Sequence, residues 1–109
     1  MISGRTTLFA VIGFPVDHSL SPAMQNAAFA AAGFDGAYVA LPVEPEELEA
    51  AVRGARALGF GGLNVTVPHK EAVVPLCATL DEVASQVGAV NVLARHAGGW
   101  AGFNTDAPA

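Results

Sequence analysis

The sequence is poor in the residues that build disulfide frameworks and basic surfaces. Cysteine occurs once, at Cys77, so no disulfide can form within the chain, and a cytoplasmic location is the expectation. Lys and Arg together number five against ten Asp and Glu, and the five cations are scattered. A chain without a basic stripe has little to hold a phosphate backbone, which argues against nucleic-acid binding.

Long hydrophobic runs are also missing. The longest near the N-terminus, Leu8 to Phe14, contains Gly13 and stops at Pro15, so it is too short to span a bilayer. It also lacks the small-residue cleavage site of a secretory signal, and no membrane partner is expected. With 109 residues, 52% of them hydrophobic and 14% charged, the chain has the composition of one packed domain.

Apolar runs and capping residues predict strands that alternate with helices. Strands are expected over residues 7–14, 37–43 and 62–67. Ser21 is predicted to cap a first helix with Pro22 at its first position, and Met24, Ala27, Ala28 and Ala31 give it a thin apolar face ended by Gly33. A second helix is predicted over 45–59, with Leu48, Ala51, Val52, Ala55 and Leu58 at helical spacing.

The second half is predicted to add two helices and a hairpin. A short helix follows Pro68 to about Cys77, and the capping box of Thr79 to Glu82 opens another. Two β-like runs, 89–97 and 100–104, flank the turn signal Gly98-Gly99. This order predicts an α/β, three-layer domain with a mainly parallel mixed sheet and a C-terminal antiparallel hairpin.

Polar residues follow the predicted strands. Because parallel strands put their carboxyl ends on one edge, the segments after strands one and three and after the hairpin should meet there. The set comprises Ser19, Ser21, Asn64, Thr66, Lys70, Asn91, Asn104, Thr105 and Asp106. Neutral donors and acceptors around one cation and one carboxylate suit a small polyhydroxylated anion. Each residue also has a structural interpretation, such as a helix cap for Ser21 or a solvated chain end for Asp106.

Other chemistries find no support in the motifs. The stretch GFGGLN, residues 59–64, lacks the last glycine of a dinucleotide loop, and it leaves a helix and enters a strand instead of the reverse. The three histidines and Cys77 lack metal-ligand spacing, so no metal site is expected. Cys77 lies in an apolar context that favours packing, and His69 has a structural or a ligand-orienting interpretation.

Four ordered motifs, GFPVDHSLSPAMQNAAF, GLNVTVPHKEAV, GAVNV and GFNTD, resemble the N-terminal substrate-binding domain of shikimate dehydrogenases, from about residue 8 to the end. The resemblance implies an NADP-linked oxidoreductase of aromatic amino-acid biosynthesis that interconverts shikimate and 3-dehydroshikimate. It implies that Lys70 and Asp106 are the catalytic pair and also contact substrate. The other implied substrate ligands are Ser19, Ser21, Asn64, Thr66 and Asn91.

The resemblance also implies that residues 1–109 form only the substrate-binding domain. The Rossmann domain that holds NADP in such enzymes is absent from these residues, so we expect no cofactor site and no turnover from this chain alone, and self-association through surface left exposed. Val92 and Ala107 depart from the threonine and glycine common at these positions in the family. Four questions stay open. The substrate could be quinate, and the domain could be a non-catalytic carboxylate-binding module. Which of Lys70 and Asp106 carries the mobile proton, and whether Ala109 is a natural or an engineered end, are also open.

Overall fold

The computed structural model describes residues 1–107, so Pro108 and Ala109 of the predicted domain lie outside the described range. Within residues 1–107, three α-helices and six strands follow one another. In order they are β1 (Thr7–Gly13), α1 (Ser21–Ala32), β2 (Gly36–Pro42), α2 (Leu48–Ala57), β3 (Gly62–Val65), β4 (Thr79–Leu80), α3 (Glu82–Val87), β5 (Val92–His96) and β6 (Gly99–Phe103), with 3-10 turns at Pro45–Glu47 and Val74–Leu76.

The six strands form one mixed sheet in the order β2-β1-β3-β5-β6-β4. Strand β1 pairs in parallel with β2 and β3, whereas β5 runs antiparallel to both β3 and β6. Strand β4 pairs in parallel with β6 at the far edge. The α/β class, the parallel group and the C-terminal antiparallel hairpin predicted from the sequence are confirmed.

The side chains of β1 point alternately to the two faces of the sheet, and the two long helices pack on opposite faces. Ala10 and Ile12 belong to a buried cluster with Val52 of α2 and with Trp100 of β6. Phe9, which points the other way, packs its ring against Phe29 of α1 at a centroid separation of 5.4 Å. The domain therefore has the predicted three layers, with the main core between the sheet and α2.

The apolar residues of α1 do not form its packed face. Met24 is 68% exposed, and Ala27, Ala28 and Ala31 are exposed as well. Helix α1 instead packs through Phe29 and through Asn26, whose amide hydrogen-bonds the backbone of Tyr38. Leu58 of the second predicted helix is 77% exposed because α2 ends one residue before it.

Two predicted helix caps are wrong by one and two residues. Ser21 does not cap α1: it is the first helical residue, and the cap position is occupied by Leu20, whose side chain has no hydrogen-bond acceptor. Thr79 does not open α3, because it pairs with Ala101 as part of β4. Asp81 caps that helix through a 2.8 Å hydrogen bond from the Ala84 N–H.

The helix predicted between Pro68 and Cys77 is also wrong. This segment consists of turns that end in the 3-10 turn Val74–Leu76. Pro75 has no N–H to donate back along the segment, and the preceding valines, Val73 and Val74, have low helix propensity. Val73, which is fully buried, anchors the segment in the core and so holds the preceding Lys70 near the sheet edge.

Candidate functional site

Loops from four strands meet at one edge of the sheet. Strands β1 and β3 run in parallel and both end there, at Gly13 and Val65. Strand β5 is antiparallel to β3, so its beginning lies at this edge, next to Asn91. Strand β6 returns antiparallel to β5 and delivers Asn104 to the same edge.

A cleft of about 460 Å³ opens at this edge. All seven side chains predicted as catalytic or substrate-binding line it, together with Val11, Pro15, Val16, His18 and Val65; the seven are Ser19, Ser21, Asn64, Thr66, Lys70, Asn91 and Asp106. The sequence prediction that these positions converge is therefore confirmed as geometry. What each residue does for a ligand remains a prediction.

The serine loop forms one wall of the cleft. The Ser19 Oγ accepts a 3.2 Å hydrogen bond from the Ser21 N–H at the start of α1, and the Ser19 N–H donates to the Val16 carbonyl at 3.0 Å. Val16 is only 5% exposed, so it ties the loop to the domain. The wall thus offers two hydroxyls beside a helix N-terminus, an arrangement that favours an anionic group without a fixed positive charge.

The loop after β1 is packed tightly against the loop after β3. The Phe14 N–H donates to the Val67 carbonyl and the Thr66 N–H donates to the Ile12 carbonyl, each at 3.0 Å. A Cβ added to Gly13 would lie 2.3 Å from Thr66 Cγ2 and 2.6 Å from Val16 Cγ1. Glycine is needed at this position because the two loops approach too closely for any side chain.

Asn64 lies on the floor of the cleft, and Tyr38 of β2 reaches it from the side. The Tyr38 hydroxyl donates to Asn64 Oδ1 at 2.7 Å. Burial raises the pKa of the Tyr38 phenol, and the neighbouring Ser21 side chain offsets part of that rise. Sequence reasoning missed Tyr38, although it is the only tyrosine and lies on the second predicted strand.

Lys70 and Asp106 form an ion pair at the opposite wall. The Lys70 ammonium donates to Asp106 Oδ2, and the two side chains are 38% and 50% exposed. Asn91 orients this pair: its Nδ2 donates to Asp106 Oδ1 at 2.9 Å and to Thr105 Oγ1 at 2.8 Å. The predicted catalytic residues are therefore in direct contact, with the carboxylate held from both sides.

Asn104 anchors the loop that carries Asp106. It is 7% exposed, and its Oδ1 accepts hydrogen bonds of 2.9 Å from the N–H groups of Asp106 and Ala107. Its Nδ2 donates to the Ala89 carbonyl at 3.0 Å. Asn104 thus serves the site by fixing the loop, whereas the sequence placed it only among the converging polar residues.

The histidines and the cysteine have different surroundings. His69 is 1% exposed with its ring Nε2 2.7 Å from the Val43 carbonyl oxygen, which favours the structural interpretation over direct ligand contact. His18 is exposed at the rim of the cleft. Cys77 is half-buried, and burial raises the pKa of its thiol. Within residues 1–107 no three His, Cys, Asp or Glu side chains are grouped to hold a metal ion.

The glycine-rich stretch 59–64 is not a dinucleotide-binding loop. Residues 59–64 run from the end of α2 into β3, whereas a pyrophosphate loop leaves a strand and enters a helix.

Across residues 1–107, no helix has the length and apolar character needed to cross a membrane.

Comparison with known proteins agrees with the motifs. Residues 11–93 match the family described as the shikimate dehydrogenase substrate binding domain. The chain is 65% identical over 109 residues to the shikimate dehydrogenase (NADP(+)) of Anaeromyxobacter dehalogenans strain 2CP-C, a match that covers 100% of this chain and 39% of that protein. The chain therefore spans well under half the length of this relative.

Two solved structures have the same fold. Shikimate 5-dehydrogenase from Listeria monocytogenes, solved in complex with shikimate and NAD, is 41% identical with a TM-score of 0.93, over 96% of this chain and 36% of that one. The ligand-free 5-ketofructose reductase of Gluconobacter sp. strain CHM43 is 35% identical with a TM-score of 0.92, over 95% of this chain and 38% of that one.

Proposed function

The chain belongs to the family of shikimate dehydrogenase substrate binding domains, and from that premise we propose that it forms the substrate-binding and catalytic half of an NADP-dependent shikimate dehydrogenase. The observation that carries the proposal is the Lys70–Asp106 ion pair at one wall of a cleft whose other wall is the serine loop. A site that only bound a carboxylate would gain nothing from an aspartate that pairs with its lysine.

The two walls suggest how the substrate lies. The carboxylate of shikimate would accept hydrogen bonds from the hydroxyls of Ser19 and Ser21 beside the start of α1. Asn64 and Thr66, on the floor between the walls, would contact the carboxylate or the ring hydroxyls. The reacting carbon–oxygen group would then lie towards Lys70 and Asp106, with Asn91 beside them.

The ion pair suits the proton transfer that ketone reduction requires. As hydride reaches the carbonyl carbon of 3-dehydroshikimate, the oxygen gains negative charge and takes up one proton; oxidation of shikimate reverses both transfers. The Lys70 ammonium would stabilise the developing alkoxide, and Asp106 would hold it in place. Either member of the pair can carry the mobile proton in this scheme.

In the proposed enzyme NADP supplies or accepts the hydride, and it would be held by a Rossmann domain outside residues 1–109. Three features support this division: the NADP(+)-dependent relative is much longer than this chain, the solved Listeria enzyme was in complex with a nicotinamide coenzyme, and residues 59–64 do not fit one. We place the protein in the cytoplasm, and we expect the 109-residue chain to bind substrate weakly and to lack turnover.

A second candidate is the same chemistry on a different hydroxylated substrate. The 35% identical 5-ketofructose reductase carries the same fold, so this fold alone does not select the substrate. Quinate, which has one more ring hydroxyl than shikimate, is the closest chemical alternative to test.

An NMR titration of the chain tests the proposal. Shikimate is added to the labelled protein, and benzoate serves as a carboxylate control without ring hydroxyls. We expect shikimate to shift the amide signals of Ser19, Ser21, Asn64, Thr66 and Lys70, whereas benzoate shifts only those of the two serines. A well-dispersed spectrum that does not change when shikimate is added would contradict binding by this chain. Shifts caused by quinate but not by shikimate would favour the second candidate.

Self-association is tested separately. The exposed side chains Leu20 and Met24, 73% and 68% exposed on and beside α1, support the expectation of contacts between copies. Analytical ultracentrifugation over a range of concentrations should show a mean mass that rises with concentration. A constant monomer mass would contradict it.

A further inference from the structure

Tyr38 contacts a predicted substrate ligand without lining the cleft itself. Its hydroxyl donates to Asn64 Oδ1 at 2.7 Å, and the residue as a whole is 5% exposed. Tyr38 and Asn64 lie on β2 and β3, which flank β1 on either side. The phenol therefore spans the width of β1 on the face that carries Phe9 and Val11.

In the structure this hydrogen bond engages the oxygen end of the Asn64 amide, with the Tyr38 hydroxyl as the donor. A primary amide has one acceptor oxygen and one nitrogen with two protons, which are close to interchangeable in size. With Oδ1 held by the Tyr38 hydroxyl, Nδ2 is the end left for a ligand, and among the hydrogen bonds of residues 1–107 no protein acceptor engages it. Asn64 thus presents donors, which complement a carboxylate or hydroxyl oxygen and not a donor group.

Tyr38 is itself held in place by α1. The Asn26 Nδ2 donates to the Tyr38 carbonyl at 2.8 Å, and the Asn26 Oδ1 accepts from the Tyr38 N–H at 2.9 Å. This double contact satisfies the backbone of Tyr38 on the open edge of β2. The same helix begins at Ser21, whose side chain acts on the Tyr38 phenol. Helix α1 therefore positions both the serine wall of the cleft and Tyr38, which contacts Asn64 on the cleft floor.

We propose that Tyr38 is a positioning residue that fixes Asn64 as a hydrogen-bond donor, and thereby makes the cleft selective for a ligand with an acceptor oxygen above β3. The ligand part of this inference rests on the proposed function, in which that oxygen belongs to the carboxylate or a ring hydroxyl of shikimate. The orientation of the amide is a property of the protein alone and can be measured without a ligand.

The first experiment therefore uses the ligand-free chain. Tyr38→Phe removes only the hydroxyl, and the side-chain amide signals of Asn64 are compared with those of the wild type by NMR. In the wild type we expect two well-separated signals from the two Nδ2 protons of Asn64. In Tyr38→Phe the two signals should lie closer to each other, and the protons should exchange faster with solvent. The Asn91 amide, held at 2.8 and 2.9 Å by Thr105 and Asp106, is the internal control and should not change. Unchanged Asn64 signals would overturn the proposal.

The second experiment measures shikimate affinity in a double-mutant cycle of Tyr38→Phe and Asn64→Ala. Loss of one orienting hydrogen bond predicts about three- to tenfold weaker binding in Tyr38→Phe. If Tyr38 acts through Asn64, the same change made in the Asn64→Ala background should have almost no further effect. Equal, additive losses in both backgrounds would overturn the proposal, because Tyr38 would then act independently of Asn64.

The two experiments separate the inference from the proposed function. Failure of the wild-type chain to bind shikimate would count against the proposed function as applied to this chain. The ligand-free amide signals would still decide whether Tyr38 orients Asn64. Tryptophan fluorescence of Trp100, the only tryptophan, confirms that each variant is folded before it is compared.

Discussion

Replacing Asn104 by alanine should loosen the loop that carries Asp106 and lower the stability of the whole domain. Asn104 is 7% exposed and lies directly after β6. Its side chain makes three hydrogen bonds: two accepted from the N–H groups of Asp106 and Ala107 at 2.9 Å and one donated to the Ala89 carbonyl at 3.0 Å. Alanine at this position removes all three.

The expected loss of stability depends on how well water can replace each of the three hydrogen bonds. A hydrogen bond contributes about 0.5–1.5 kcal/mol net, and more is lost when a partner stays buried without a replacement. Asp106 is exposed and Ala107 is half-buried, so water can replace the bonds to their N–H groups. The Ala89 carbonyl is half-buried and is rehydrated less fully. The free energy of unfolding should therefore fall by about 2 kcal/mol.

Urea denaturation followed by the fluorescence of Trp100 measures this loss. For a domain of this size, about 2 kcal/mol corresponds to a midpoint lower by about 1 M urea. The matched control is Gln86→Ala, which removes one 3.4 Å contact with Glu82 on the exposed side of α3 and should change stability by less than about 0.5 kcal/mol. A loss in Asn104→Ala no larger than in Gln86→Ala would refute the reasoning that Asn104 anchors the loop.

Four further predictions each concern a single residue: Tyr38, Gly13, Cys77 and Lys70. The raised pKa of Tyr38, caused by burial, means that the folded chain holds this phenol proton more tightly than the unfolded chain. The contribution of Tyr38 to stability should therefore be constant below pH 10.0 and be lost as pH rises through the folded value. Tyrosinate absorbance reports this one tyrosine, and Tyr38→Phe should remove its contribution to the alkaline loss; a titration at the ordinary value would contradict it. Gly13→Ala should destabilise the domain by about 1–3 kcal/mol and shift the NMR signals of Thr66, because the new Cβ lies 2.3 Å from Thr66 Cγ2, whereas Gly98→Ala, which enters open space, should do neither. The thiol of Cys77 should react with a disulfide reagent much more slowly in the folded chain than in urea, since burial raises its pKa; equal rates would show that the thiol is accessible. In a longer protein that contains this chain, Lys70→Arg should lower turnover far more than substrate binding, because arginine keeps the charge but does not release a proton; equal losses of both would count against the catalytic assignment.

The site was easier to predict from the sequence than some elements of the fold. Ser19, Thr66 and Asp106 each follow a strand of the sheet, and the edge at which such strands end is fixed by their direction. Tyr38 was missed because its contact with Asn64 depends on β2 and β3 flanking β1, a long-range arrangement that no local pattern encodes. Residue types identify the ends of strands better than they identify contacts across a sheet.

Two of the incorrect predictions, the start of α3 and the packed face of α1, have a different cause, which is tertiary pairing that overrides a local signal. The Thr79–Glu82 motif fits a capping box, yet Thr79 is extended because Ala101 of β6 offers it a backbone partner. The alanines of α1 fit a buried stripe, yet the helix is oriented by Phe29, which packs on Phe9, and by Asn26. In each case the larger or more fully hydrogen-bonded partner determines the orientation.

The antiparallel placement of β5 brings the two walls of the cleft together. The serine wall follows β1, which is parallel to β2 and β3, and a fourth parallel strand next to β3 would begin at the opposite edge of the sheet. Because β5 runs against β3, Asn91 at its beginning lies beside the end of β3, and the Val65 N–H donates to the Asn91 carbonyl at 2.8 Å. Strand β6 then returns to this edge and carries Asp106 to within hydrogen-bonding reach of Asn91. In a sheet that was parallel throughout, every strand would end at this edge and none would begin there, and each added strand would need a further crossover connection. The mixed topology is therefore what allows a chain this short to supply both walls.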